Sequence, residues 1–463
     1  MKLELKWQVL IIICLGIFMS TLDSSIVNIA NPTIAEQFSV TMNEIQWIVT
    51  AYMLVITASL IFFGKMGDKI GNNRIFAWGF LIFTAGSFLC SLAASLIFLI
   101  AARIIQAFGA SMMMATGIGI VSNTFPADER GKALGITGSI VGIGNMTGPS
   151  LGGLLVANFS WPIIFIINVP IGLLGFYLAV KFLPTQPVDT KIKGYDKIGT
   201  LLFAVFAVIL ISSLSLGEGI VPILFFISLL VFIIFYFFEE NTPSPMLDFE
   251  LFKVRNFVFG NIMAFASYIS QNFVLFLMPF YMEKLLHYSP SLSGLFLTIT
   301  PVAMAITAPL AGSLSDRIGS GRLTSISFIL TTSAHLIFST LDYSVNVYKI
   351  IGGLLLLGIG MGSFGSPNSS SILGSIPREK AGYAGGFMST VRNLSFSLGI
   401  ALSASMFTLL FNTNQKFLSY TQAYASATGS VYRIAALITF SGLIISLISS
   451  RTQKAQVDPQ EHF

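Results

Sequence analysis

The sequence predicts an all-α integral membrane protein with fourteen transmembrane helices. Its composition supports this class, because 54% of the 463 residues are hydrophobic and only 10% are charged, against roughly a quarter charged in soluble domains. Apolar stretches of about 20 residues recur along the chain, and each can cross the hydrocarbon layer of a bilayer as a helix. A loop motif that occurs twice indicates two related halves.

The first apolar stretch, from Trp7, has no small-residue cleavage site and is too long for a signal peptide, so it is interpreted as a span. Two isolated cysteines and three scattered histidines predict no disulfide framework and no metal site. Hydrophobic patterning predicts spans at 7–29, 44–64, 75–95, 97–120, 132–156, 162–183, 196–216, 219–238, 256–282, 291–311, 321–341, 346–366, 382–411 and 431–450.

The distribution of basic residues predicts the orientation. With the N-terminus inside, the only Lys and Arg on outer loops are Lys284, Lys349, Lys416 and Arg433, and most of the others fall on cytoplasmic segments. This follows the positive-inside rule and predicts that both termini are cytoplasmic. Nucleic-acid binding is excluded despite a net charge of +5, because the basic residues occupy short, separate loops.

The repeated motif predicts the domain organisation. GKMGDKIGNNR (64–74) aligns without a gap to GSLSDRIGSGR (312–322), and the second copy lies eight spans after the first. Two six-helix halves therefore leave one additional helix pair. The predicted domains are a six-helix bundle at 1–183, an inserted two-helix hairpin with cytoplasmic linkers at 184–255, a second six-helix bundle at 256–450 and a cytoplasmic tail at 451–463.

The paired loops are candidates for a conformational lock. Asp68 and Asp316 can accept hydrogen bonds from backbone N–H groups at helix ends or pair with nearby basic residues. Breaking such a lock would allow two conformations of similar energy. The alternative is that these are charged loops that only obey topology. The residues proposed for the lock are Gly64, Asp68, Gly71 and Arg74 with their counterparts Gly312, Asp316, Gly319 and Arg322.

Asp23 is the first candidate for chemistry. It lies about 24 Å along the first span from Trp7, among Ser20, Thr21, Ser24, Ser25 and Asn28. An Asp at the centre of a membrane helix costs about 2.5–3.5 kcal/mol, so an intramembrane acid indicates a functional site. The alternative is an acid hydrated at the outer end of its helix.

Arg103 is expected about 9 Å below the outer surface, close to the depth of Asp23. The two side chains could face each other across a cavity, where burial and a neighbouring cation act in opposite directions on a carboxyl pKa. Asp23 is therefore predicted to carry the proton and Arg103 to modulate it. The alternative for Arg103 is a structural clamp on backbone carbonyls.

The fifth span has a dense pattern of small residues around a mid-helix proline. Glycines four residues apart allow a neighbouring helix to approach closely, and a proline removes one helix hydrogen bond. The pattern predicts a pivot or seal between the halves, although tight packing alone is an alternative. Its members are Gly144, Gly148, Pro149, Gly152 and Gly153.

Polar and aromatic side chains within the spans are candidates for a substrate cavity. Arg392 is among them, although it could instead reach the headgroups from the inner end of its helix. The full set is Asn28, Tyr52, Gln106, Asn145, Tyr268, Gln271, Asn272 and Arg392.

The motifs together resemble the major facilitator superfamily, and within it the fourteen-helix drug:proton antiporters, such as quaternary-ammonium and multidrug efflux pumps. LDSSIVNIANP resembles the first-helix signature with Asp23 in the acidic position, and RIIQAFGA supplies Arg103 and Gln106. The loop motif is resembled by GKMGDKIGNNR, the antiporter motif by GNMTGPSLGG and the sixth-helix motif by INVPIG. This resemblance implies the major facilitator fold: two pseudo-symmetric six-helix bundles with a hairpin between them.

The sequence departs from this family at a few positions. Asn31 stands where the family usually has an apolar residue, and Asn72 and Asn73 replace basic residues of the loop motif. The tenth span has no acid, which favours monovalent cationic or zwitterionic substrates over dications.

The expected function is proton-driven export of amphipathic drugs and dyes by alternating access, in a bacterial plasma membrane. The protein is expected to be a monomer without a cofactor. No Walker-type loop is present, so ATP is not expected to drive the transport. A membrane-embedded enzyme or a sensor is not expected, since the sequence offers neither a metal site nor a nucleophile–base set. A nutrient or metabolite permease and a lipid flippase on the same fold are the alternatives.

Overall fold

The computed structural model describes residues 4–184, 196–215, 221–242, 249–343, 346–377 and 381–457. Within these ranges the chain is almost entirely helical and contains no β-strand. The all-α prediction is confirmed for this part of the chain.

The described residues form sixteen α-helices. The first ten are α1 (Leu5–Phe38), α2 (Met42–Ile45), α3 (Trp47–Ile70), α4 (Asn72–Ser91), α5 (Leu96–Thr124), α6 (Ala127–Asn158), α7 (Ile163–Ile166), α8 (Asn168–Phe182), α9 (Lys197–Ser215) and α10 (Val221–Glu240). A 3₁₀ turn at Phe249–Lys253 precedes α11 (Arg255–Phe280), and a π-helical turn at Tyr281–Leu285 follows it. The remaining helices are α12 (Pro290–Ile318), α13 (Ser320–Phe338), α14 (Val347–Gly374), α15 (Ala381–Asn414) and α16 (Tyr420–Val457).

Ten helices among the described residues are long and apolar enough to cross a membrane. They are Leu5–Phe38, Asn72–Ser91, Leu96–Val121, Ile163–Phe182, Pro222–Glu240, Arg255–Leu285, Pro290–Ser315, Val347–Gly374, Phe387–Asn414 and Tyr420–Ser449. The four other expected spans coincide with α3, α6, α9 and α13, which are helical but are not among these ten. The total of fourteen crossings therefore stays a prediction.

The contacts between helices divide the chain into two compact units. The N-terminal unit comprises Met1–Met246 with Ser289–Gly294, and the C-terminal unit comprises Leu247–Tyr288 with Leu295–Phe463. In the N-terminal unit the most extensive contacts join α4 to α5, α1 to α6 and α3 to α5. In the C-terminal unit they join α13 to α14 and α16, and α11 to α15.

The predicted hairpin packs within the N-terminal unit. Its helices α9 and α10 contact each other, and α9 also contacts α3. The hairpin turn at 216–220 and most of the linkers, 185–195 and 243–248, lie outside the described residues. The predicted domain limits therefore stay a prediction.

The last helix extends into the predicted tail. The final span is expected at 431–450, but α16 begins at Tyr420 and continues to Val457. No Gly or Pro interrupts the chain between Gly442 and Pro459, so nothing in the local sequence ends the helix at the membrane surface.

The small residues of α6 form its contact with α1. A methyl group at Gly144 would overlap the Thr21 hydroxyl, and one at Gly148 would overlap the Ser25 hydroxyl. The spacing of four residues places both glycines on one face of α6, and Ser25 donates a hydrogen bond to the Gly144 carbonyl at 3.3 Å. The helix that approaches these glycines is therefore α1, and the pivot or seal between the halves stays a prediction.

Gly71 and Gly319 occupy equivalent places in the two copies of the repeated motif. Gly71 separates α3 from α4 with φ +104°, and Gly319 separates α12 from α13 with φ +88°. Non-glycine residues rarely adopt such positive φ angles. The internal symmetry seen in the sequence therefore extends to the backbone at these two helix junctions.

We expect Gly71→Ala and Gly319→Ala each to destabilise the protein by about 1–3 kcal/mol, because a Cβ atom strains this backbone conformation. Open space surrounds both glycines, so a steric clash would not account for the loss. Thermal unfolding of the purified protein in detergent measures the effect.

Gly64→Ala is the matched control. Gly64 belongs to the same motif and is equally open, but it lies inside α3, where alanine is favoured over glycine by about 1 kcal/mol. Equal melting temperatures for Gly71→Ala and Gly64→Ala would contradict the assignment of strain.

Candidate functional site

Asp23 lies in the middle of α1 and is completely buried in the N-terminal unit. Its Oδ2 forms an ion pair with Nη1 of Arg103 on α5. Its Oδ1 accepts hydrogen bonds from Nε2 of Gln106 at 2.8 Å and from Nδ2 of Asn168 at 3.0 Å. One carboxylate therefore joins α1, α5 and the first residue of α8.

A serine on α4 completes the network. Ser87 is fully buried, and its hydroxyl oxygen accepts hydrogen bonds from Gln106 at 2.6 Å and from Asn168 at 3.2 Å. Gln106 and Asn168 therefore each bridge the same two acceptors, Asp23 and Ser87. The result is a polar network that ties four helices together without solvent exposure.

Arg103 has further partners besides the carboxylate. Its Nε donates to the Ile48 carbonyl at 3.2 Å, and its Nη1 also donates to Oε1 of Gln106 at 2.6 Å. Its guanidinium carbon lies 3.9 Å from the ring centre of Tyr52 and 5.7 Å from that of Phe165, within reach of cation–π attraction. Arg103 thus contacts the Asp23 carboxylate, as expected of a modulator of the acid. It also contacts a backbone carbonyl, as expected of a structural clamp.

The geometry differs from the expected one in a single respect. Asp23 and Arg103 were expected to face each other across a cavity, but they are in direct contact and neither has any exposed surface. Two charges buried in a low-dielectric interior are stable only when they are paired and hydrogen-bonded, which accounts for the closed arrangement.

Two cavity candidates, Tyr52 and Gln106, belong to this network. The sequence did not single out Ser87 and Asn168. Asn168 lies in the INVPIG motif. That motif indicated the sixth-helix pattern but gave no role to Asn168. Ser87, a lone serine in an apolar segment, gave no signal.

The other candidates are distributed over both units. Asn28 is buried on α1 and donates to the Ser24 carbonyl at 3.1 Å. Asn272 is buried on α11 and donates to the Tyr268 carbonyl at 2.8 Å. The side chains of Asn145, Asp68 and Asp316 lie outside the described structure.

Tyr268 packs in an aromatic group within the C-terminal unit. Its ring meets Phe396 of α15 edge-on at 5.7 Å and Phe364 of α14 at 6.4 Å between ring centres. Gln271 and Arg392 are half-buried on α11 and α15. Phe364 and Phe396 were not predicted, because phenylalanines are too frequent in this sequence, 42 in all, for any one to stand out.

The two arginines proposed for the lock, Arg74 and Arg322, are exposed. Arg74 follows Gly71 at the start of α4, and Arg322 follows Gly319 at the start of α13. Their role in a lock stays a prediction.

Long apolar helices in both units, with an ion pair buried in the N-terminal unit, are typical of a multi-pass membrane protein. A family model described as Major Facilitator Superfamily matches residues 13–400. The chain belongs to the Major Facilitator Superfamily, whose members are transporters and not enzymes, and the predicted family is confirmed.

The chain is similar to two curated relatives and to one solved structure. It is 48% identical over 446 residues to the riboflavin transporter RibZ of Clostridioides difficile (strain 630), covering 96% of this chain and 98% of that one. It is 31% identical over 401 residues to the multidrug resistance protein Stp of Mycobacterium tuberculosis (strain ATCC 25618 / H37Rv), covering 85% and 74%. A bacterial homologue of the human lysosomal transporter Spinster, in an inward-facing and unoccupied conformation, matches with a TM-score of 0.71 and 15% identity over 98% of each chain.

We expect Arg103→Met to lower the free energy of unfolding by about 3–5 kcal/mol, because it leaves the Asp23 carboxylate buried without its counter-charge. The double variant Asp23→Asn with Arg103→Met should recover more than half of that loss, since no net charge is then buried. Thermal unfolding in detergent of both single variants and the double variant measures the coupling.

Arg433→Met, at an exposed arginine of α16, is the control and should change the stability little. Additive losses in the double variant would show that the ion pair is not energetically coupled.

Proposed function

We propose that this protein carries riboflavin, or a substrate with the same planar, hydrogen-bonding ring system, across the bacterial plasma membrane, with both termini cytoplasmic. The observation that carries this proposal is the 48% identity to the riboflavin transporter over nearly the whole of both chains. The multidrug relative is more distant, at 31% identity. The substrate class therefore shifts from the cationic drugs expected from the sequence toward a flavin.

We further propose that protons drive this transport through Asp23. The carboxylate accepts three hydrogen bonds from Arg103, Gln106 and Asn168, and a protonated carboxyl group must instead donate one. A proton on Oδ2 thus competes directly with the Arg103 guanidinium for the same oxygen atom. Gln106 Oε1, which accepts a hydrogen bond from Arg103 Nη1, offers an acceptor for the new O–H group.

The loss of the ion pair would not leave Arg103 without partners. Its contacts with the Ile48 carbonyl, Gln106 Oε1 and the Tyr52 ring do not involve Asp23. The network can therefore exist in a charged and a protonated arrangement, which is the two-state element that coupled transport requires.

Export of drugs is the second candidate function. The similarity to the multidrug relative favours it. The glycines of α6 that pack against α1 also favour it, because the sequence around them resembles the antiporter motif of exporters. A drug-susceptibility panel in an efflux-deficient host tests it, with Asp23→Asn as the inactive comparison.

We expect the wild-type chain to move radiolabelled riboflavin across the membrane of a riboflavin-auxotrophic host that lacks its own flavin transporter. In sealed vesicles an imposed pH gradient should drive this movement, and the direction of the response identifies import or export. Asp23→Asn should still bind riboflavin but should lose the dependence on the gradient, because the side chain no longer titrates.

Glu36→Gln, which removes an exposed acid from the same helix, is the control and should respond to the gradient like the wild type. Drug resistance without any binding or movement of riboflavin would overturn the flavin assignment in favour of the second candidate. Gradient-driven transport by Asp23→Asn would overturn the coupling assignment.

A further inference from the structure

A polar stripe runs along α1 next to the Asp23 network. Ser20, Ser24, Asn28 and Asn31 follow one another at intervals of four, four and three residues, which places them along one side of the helix. Ser24 is partly exposed, whereas the other three are buried. The stripe therefore reaches accessible space at Ser24 and continues into the buried part of α1.

Asn31 differs from the other polar residues of α1 in its hydrogen bonding. Ser20, Thr21 and Ser25 each donate to a carbonyl of their own helix, whereas neither Nδ2 nor Oδ1 of Asn31 has a partner among the described residues. Asn31 has no exposed surface. A buried amide with both atoms unsatisfied is costly.

Further hydrogen-bond acceptors lie next to the Asn31 amide. Oδ1 of Asn28, one turn earlier, also lacks a partner within the described chain. Pro32 lies inside α1 and has no N–H to donate to the Asn28 carbonyl, four residues before it. The segment 28–32 thus offers one donor, the Asn31 amide nitrogen, and several acceptors.

We infer that Asn31 and Asn28 bind the pyrimidinedione edge of the substrate ring, an inference that rests on the proposed flavin transport. An amide presents a donor and an acceptor side by side, and the flavin imide presents a carbonyl oxygen beside N3–H. Asn31 Nδ2 donates to that carbonyl while its Oδ1 accepts the N3–H bond. Oδ1 of Asn28 accepts a further N–H or O–H donor.

This donor and acceptor pattern selects among substrates. A quaternary ammonium ion has no N–H group and cannot satisfy acceptors that lack a hydrogen-bond donor. A flat heterocycle with an imide, and with hydroxyl groups on its side chain, supplies both the donors and the carbonyl that the segment needs. A site built to hydrogen-bond one such group discriminates strongly against analogues that lack it.

The test compares riboflavin with 3-methylriboflavin, in which a methyl group replaces the N3 hydrogen. Wild-type protein should bind riboflavin at least about tenfold more tightly, because the methylated ring loses one hydrogen bond and leaves Asn31 Oδ1 unsatisfied. Asn31→Leu should weaken the binding of riboflavin at least to the level of the methylated analogue, because both hydrogen bonds from Asn31 are then lost. Fluorescence titration of the detergent-solubilised protein measures both affinities.

Melting temperatures separate this role from a structural one. Replacing an unsatisfied amide by an apolar side chain of similar size is neutral or stabilising, so Asn31→Leu should melt no lower than the wild type while it loses the preference for riboflavin. Asn158→Leu, at an exposed asparagine of α6, should keep that preference. The wild-type comparison of the two flavins is decisive even if Asn31→Leu does not fold.

The outcomes distinguish this inference from the function on which it rests. If the wild type binds riboflavin and 3-methylriboflavin equally, or if Asn31→Leu retains the preference, the inference is overturned and flavin transport stands. If the wild type binds neither flavin, the proposed function fails and this assignment fails with it.

Discussion

The pairing of Asp23 with Arg103 is the interaction on which the N-terminal unit depends. Both side chains are completely buried, and a charge of either sign in that environment would be strongly unfavourable alone. Their own hydrogen bonds connect α1, α3, α5 and α8, and Gln106 extends the network to Ser87 of α4. The same network that makes two buried charges tolerable therefore fixes the relative positions of five helices.

This network differs from an isolated ion pair because its members have several hydrogen-bond partners each. Gln106 contacts Asp23, Arg103 and Ser87 at once, and its amide offers both a donor and an acceptor. Under the proposed protonation of Asp23, Arg103 would stay a buried cation, held by the Ile48 carbonyl, Gln106 Oε1 and the Tyr52 ring. A network of this kind favours two discrete arrangements over a continuous range.

The sequence was informative where a residue was unusual for its surroundings. Asp23 and Arg103 stand out because charges are rare in apolar segments, and helical rise placed them at similar depths. The glycines of α6 were recognisable because their spacing matched one face of a helix. Ser87 and Asn168 could not be predicted, since a single serine or asparagine in a membrane helix satisfies itself by bonding its own backbone as often as it joins a network.

Other features needed coordinates because they depend on partners distant in the chain. The repeated motif predicted an internal symmetry, but the positive φ angles of Gly71 and Gly319 follow from how the two helices of each pair meet. Asn31 was visible as a departure from a family pattern, yet its significance lies in the absence of a hydrogen-bond partner within the described chain. Sequence shows which side chains are polar and cannot show which of them are satisfied.

Polar side chains of α1 contact two sets of neighbouring helices. One face presents Asp23 to the network on α5 and α8. A second presents Thr21 and Ser25 to the glycines of α6, whose lack of side chains brings the two backbones together. Asn28 and Asn31 lie further along the same helix. Because a rigid helix moves as one body, any displacement that follows a change at Asp23 also displaces the α6 contact and the two asparagines. The proposed proton binding at Asp23 and the proposed substrate binding at the asparagines would therefore be linked through one helix, without a separate relay between them.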